Sequence, residues 1–201
     1  MRKLFLLSPA RVTGVRAGLL LNPRAPFALA RAFQREGLPL ADVFAFASGL
    51  YFRGKIAYAR RFADPAQRDA IRVISTNAGL LDPLTTLTPA ALRLFGEVDI
   101  HEEDPRFRRP LRRDAVRLAR SLDPGGIAIL LGSVATAKYR DVLLEAFGER
   151  LVFPSDFVGR GDMSRGGLLL RATRVGRELA YTAVAGAVFT GRRAPRIRDL
   201  P

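Results

Sequence analysis

Three short apolar runs restrict this chain more than any other feature. Lys3–Leu7, Ala70–Ile74 and Ile127–Leu131 are each too brief for a helix, and each is followed at once by small polar residues. Runs of this length with so few polar positions form strands covered on both faces, as in a parallel sheet. The segments between them carry helical signals. Pro26 to Glu36 has proline at its first turn, Leu29 and Phe33 on one face, and Gly37 as its stop. Ser48 suits the N-cap of a helix that aligns Phe52, Ile56, Ala59 and Ala63. Thr88-Pro89 opens a helix through Phe95. Leu111, Ala115, Leu118, Ala119 and Leu122 give the cleanest helical stripe in the chain. A further helix is expected from Thr136 to Phe147, and Val43 to Ala47 fits either strand or helix.

Alternating strands and helices predict an α/β fold with a mostly parallel central sheet of about four strands and helices on both faces. Leu151–Phe153 supplies the fourth strand. Leu168–Arg174 and Glu178–Val184 predict a C-terminal hairpin around Val175-Gly176-Arg177. Residues 1–190 read as one domain, and 191–201 as a basic, poorly ordered tail. A chain of 201 residues, 48% hydrophobic, can bury its own core. Without cysteine it has no disulfide, thiolate nucleophile or Cys-bearing zinc site. The apolar run after Met1-Arg2-Lys3 is too short for a signal peptide, and no segment is apolar for long enough to span a bilayer. The expectation is a cytoplasmic protein that does not enter membranes.

The net charge is +14. Residues 1–40 hold seven bases against one acid, 105–120 seven against one, and 159–201 nine against three, so these segments carry all of the excess. Charge clustered in this way attracts phosphates and releases counterions, which makes nucleic acid, DNA or RNA, the expected partner.

In an open parallel sheet, ligands bind beyond the carboxyl ends of the strands. Ser8 and Arg11 follow the first strand, Ser75, Thr76 and Asn77 the second, and Ser133, Thr136, Lys138 and Tyr139 the third. Hydroxyls, an amide and bases at three strand ends suit an anion or a nucleobase, and the helix start near Thr136 could hold a phosphate beside Lys138. The stretch Gly159-Arg160-Gly161-Asp162-Met163-Ser164-Arg165-Gly166-Gly167 reads as a glycine-rich loop. Arg160 and Arg165 could grip phosphate, with Ser164 beside them, and Asp162 could act as a base. Asp162 and Asn77 are the candidates for chemistry. Neither a Walker loop nor a dinucleotide fingerprint is present. Arg109, Arg112, Arg113, Arg117 and Arg120 lie off the apolar stripe of their helix and could track a phosphate backbone. Tyr51, among Phe52, Arg53 and Lys55, could stack on a base. His101, the only histidine, sits in an acidic loop with no nucleophile elbow to serve, and no metal cluster or cofactor motif appears.

Leu50-Tyr51-Phe52-Arg53-Gly54-Lys55-Ile56-Ala57-Tyr58-Ala59 and Ile74-Ser75-Thr76-Asn77-Ala78-Gly79-Leu80-Leu81-Asp82-Pro83 resemble two stretches of a family of small uncharacterised bacterial and phage α/β domains. That family is itself loosely similar to the uracil-DNA glycosylase-like fold. The resemblance covers about a third of the chain and implies strand ends that hold an extruded base. The glycosylases' His-Pro-Ser loop has no counterpart here. Three functions therefore stay open. One is a nucleic-acid-binding domain with glycosylase-like base processing. The second is an enzyme acting on a nucleotide or other phosphorylated metabolite. The third is an interaction module built on the basic helix and tail.

Overall fold

A computed structural model describes residues 2–135 and 137–187. The chain runs through β1 (Lys3–Leu7), α1 (Val15–Leu21), α2 (Ala28–Glu36), β2 (Leu38–Pro39), α3 (Leu40–Ser48), α4 (Leu50–Phe62) and β3 (Ile71–Ile74). It continues through β4 (Leu80–Leu81), β5 (Thr86–Leu87), α5 (Pro89–Gly96), α6 (Pro105–Ser121) and β6 (Ile127–Leu131). The last elements are α7 (Ala137–Phe147), β7 (Leu151–Pro154), α8 (Asp162–Val175) and β8 (Tyr181–Ala183). No helix among the described residues is long and apolar enough to cross a membrane.

The main sheet has the order β4-β3-β1-β6-β7-β8. Its four inner strands are parallel; β4 and β8 pair antiparallel at the two edges. β2 and β5 form a small antiparallel pair of their own. β1 is the axis, with Phe5 opposite both Ile71 and Ile129, and Leu7 opposite Val73 and Leu131. Leu4 to Leu7 and Ala128 to Leu131 are fully enclosed, as runs covered on both faces must be. The step from β1 to β3 and the step from β3 to β6 go in opposite directions across the sheet. Right-handed crossovers then place α4 and α6 on opposite faces. The packing follows, with α8 against α4 and α7 against α6. The reversal occurs between β1 and β6, which is the switch point where such sheets open a crevice.

The sheet has six strands and not about four, and three further sequence expectations change. The hairpin does not form: its first arm, 168–174, belongs to α8, and only Tyr181–Ala183 is a strand, paired with β7. The expected glycine-rich loop ends at Gly161, and Gly166 and Gly167 are helical. The reason is a close helix crossing. A Cβ on Gly166 would lie 2.9 Å from the Tyr51 Cα, and one on Gly54 would lie 2.7 Å from the Gly166 carbonyl oxygen. These two glycines serve contact between α4 and α8 and not a turn. Val43–Ala47 is helical within α3, and Ser48 ends that helix instead of capping the next. Thr88 does cap α5, its hydroxyl accepting from the Ala91 N–H. Residues 191–201, expected to be a loose tail, and Thr136 lie outside the described residues.

Candidate functional site

At the carboxyl ends of β1, β3 and β6 a cleft of about 880 Å³ opens. Ser8 and Arg11, Thr76, and Ser133, Lys138 and Tyr139 line it from the three strand ends. Tyr51 of α4, Asp162 at the start of α8, and Asp99 and His101 before α6 complete the wall.

The floor is built around Ser8. Its backbone N–H donates to the Leu131 carbonyl at 3.1 Å, which extends the β1–β6 ladder by one residue. The Lys55 Nζ, from the buried face of α4, reaches the Ser8 carbonyl oxygen at 2.5 Å and its Oγ at 2.8 Å. Lys55 is 1% exposed, and its Nζ sits 4.5 Å from the Tyr51 ring centre and 5.0 Å from that of Phe52. Burial pushes its pKa down from 10.5 to about 7; Asp162 opposes this and Arg165 reinforces it. Gly132 leaves no room for a side chain. A Cβ there would lie 2.8 Å from both the Ser8 Cβ and the Tyr139 Oη. That oxygen accepts from the Ser133 N–H at 2.8 Å, and burial raises the Tyr139 pKa. Among the described residues the Tyr51 hydroxyl is enclosed with no well-formed hydrogen bond, and the Arg165 guanidinium lies close enough to favour its ionised form against burial. Burial holds this phenol neutral, above its ordinary range.

Other candidates are spent on structure. The Ser75 Oγ donates to the Gly79 carbonyl and accepts from the Ala78 N–H, closing the turn after β3. Thr76 lines the cleft but its hydroxyl donates to the Phe95 carbonyl at 2.7 Å. The Asn77 amide, expected to do chemistry, is exposed and donates to the Leu94 carbonyl at 3.0 Å, outside the cleft lining. Arg160 and Arg165, expected to grip phosphate, are 7% and 8% exposed and turned inward. Arg160 donates to the Asp156 carbonyl and the Ser164 Oγ. Arg165 donates to the Phe157 carbonyl at 3.3 Å, and its Nη1 lies 3.6 Å from Asp162. They hold the turn that launches α8, so they position Asp162 without lining the cleft.

Arg109, Arg112, Arg113, Arg117 and Arg120 are all exposed on α6. Arg113 pairs with Asp114 and Arg112 lies 3.8 Å from Glu145. None of the ion pairs among the described residues engages Arg109, Arg117 or Arg120. α6 begins at the cleft wall, because its N-cap Asp104 follows His101 by three residues.

Lys55 is the site residue that sequence reasoning missed. The sequence reading gives it no role beyond neighbouring Tyr51, yet it sits three residues from Phe52 and four from Ala59, within the stripe assigned to the core. A cation inside an apolar stripe was the available signal.

Fold and cleft together define an α/β domain of switch-point type with a polar crevice floored by a serine and a buried lysine. A scan of protein-family models finds no match to the chain, and searches of curated proteins and of solved structures find none either.

Proposed function

We propose that the chain binds single-stranded nucleic acid, seating one nucleoside in the cleft while the α6 arginines hold the phosphodiester backbone outside it. The observation that carries this reading is the division of charge. The cleft wall offers Arg11 and Lys138 against Asp99 and Asp162, with hydroxyls and Tyr51 between them. Such a lining suits a neutral, hydrogen-bonding, stackable group better than a phosphate. Arg109, Arg117 and Arg120, in no ion pair among the described residues, stand outside, on a helix that starts at the cleft and runs away from it. A base processed in that position would be read while extruded, as the glycosylase-like resemblance implies.

The test is fluorescence anisotropy with a short labelled oligonucleotide over a salt series. Affinity is expected to fall steeply with salt, and R109Q/R117Q/R120Q is expected to lower the slope by about 2, at roughly 0.7 per phosphate contact on a single strand. An abasic strand should keep the slope and lose affinity. No binding at low salt ends the proposal. The runner-up is an enzyme for a free nucleotide, with Arg11 and Lys138 meeting its phosphate. It predicts a melting shift with nucleotides that an Arg11→Gln, Lys138→Gln pair abolishes.

A further inference from the structure

The contact between Lys55 and Ser8 does more than close the cleft floor. Lys55 has no carboxylate within ion-pairing distance among the described residues. Its polar contacts are the Ser8 carbonyl oxygen at 2.5 Å and the Ser8 Oγ at 2.8 Å; aromatic rings cover the rest. A buried ammonium without a counter-ion is costly, whereas a neutral amine fits these partners. One amine N–H goes to the carbonyl, which can only accept. The lone pair can then accept the Ser8 O–H. The next hydroxyl along is Tyr139, whose oxygen already accepts from the Ser133 N–H. Ser8 itself lines the cleft, at a strand end where a bound group would meet it.

We infer that Ser8 is a nucleophile and Lys55 its general base, and that the pair hydrolyses a carboxylic ester whose acyl group enters the cleft. The Ser8 proton passes to the Lys55 amine as Oγ forms a bond to the ester carbonyl carbon. The tetrahedral intermediate collapses with cleavage of the carbon–alkoxy bond, and the leaving alcohol takes the proton back from Lys55. Water then attacks the acyl-serine, giving a proton to Lys55. The carbon–Oγ bond breaks, Ser8 regains its proton, and a carboxylic acid is released. An ester suits a single weak base, since its alkoxide leaves far more readily than the amine of an amide. The inference uses the cleft that the proposed nucleoside would occupy but needs none of the α6 arginines, so Ser8 labelling and oligonucleotide binding report on the two readings separately.

A fluorophosphonate probe tests it. Intact mass and peptide mapping should find one adduct, on Ser8, absent from Ser8→Ala. The labelling rate should rise about tenfold from pH 6 to pH 8, as an amine with a pKa of about 7 loses its proton. Lys55→Met should label at least a hundredfold more slowly. No adduct on Ser8, a rate flat with pH, or wild-type labelling of Lys55→Met each overturns the inference. Should Lys55→Met fail to fold, the wild-type protein still decides. The chain has three lysines, Lys3, Lys55 and Lys138, so lysine 13Cε NMR resolves them. One signal titrating near neutrality supports the dyad, and three titrating only at the usual alkaline pH overturn it.

Discussion

Replacing Lys55 by methionine should flatten the pH dependence of stability across the alkaline range. In the unfolded chain the amine keeps its proton up to about pH 10.5, and in the folded protein only to about 7. Between these values the unfolded chain binds one more proton, so stability rises with pH. At 1.36 kcal/mol per pH unit, the gain between pH 7 and 9.5 is about 3 kcal/mol. The upper bound is set by the tyrosines. Tyr58, pushed up to about 12 by burial, begins to act in the opposite sense above its ordinary value of 10.0. The groups facing Lys55 are Ser8 just after β1, Tyr51 and Phe52 from α4, and Asp162 and Arg165 from α8. All of them remain in the variant. Methionine fills similar volume against the two rings, but the Ser8 carbonyl loses its donor, a cost of roughly 1–3 kcal/mol. Urea unfolding of both proteins at half-unit pH steps measures the difference. The wild type should gain stability across the window while Lys55→Met stays level. Parallel curves would refute the reasoning, because a lysine that keeps its proton when folded contributes no such slope.

Three further outcomes follow from packing and hydrogen bonding. Gly166→Ala should destabilise by roughly 1–3 kcal/mol despite alanine's better helix propensity, because its Cβ would meet the Tyr51 Cα at 2.9 Å and the Leu50 carbonyl oxygen at 3.0 Å, backbone atoms that cannot rotate away; urea midpoints report it. Asp114→Ala should speed hydrogen exchange at the Leu80 amide and cost about 1–3 kcal/mol, because the buried Asp114 carboxylate accepts that N–H at 3.0 Å; unchanged exchange at Leu80 would count against the role. Thr88→Ala should lower stability by about 1 kcal/mol through loss of the α5 cap, read as a fall in melting temperature, with Thr88→Ser largely restoring it.

The strands were legible because each inner one is short and mostly apolar, with at most one charged residue, a pattern that local sequence carries before any helix covers it. β1 and β6 coincide with the runs read from the sequence, and α6 carries the expected stripe, with Leu111, Ala115 and Leu118 buried. The order of the strands puts Ser8, Thr76 and Ser133 around one cleft, and that much follows from parallel βαβ chemistry. α8 was not legible. Its glycines look like loop residues until Tyr51 is seen against Gly166, a contact between positions more than a hundred residues apart. Local propensity there yields to close helix crossing.

The same distinction separates the charges. Sequence alone determined that this chain has a parallel sheet, polar strand ends and a large excess of arginine. Tertiary structure alone decided which cations meet solvent and which are enclosed. Arg160 and Arg165 turn inward to backbone carbonyls, while Arg117 and Arg120 stay outside. Lys55 reaches a serine 47 positions away. A side chain's protonation depends on the solvent and partners left around it, and those exist only once distant segments have packed.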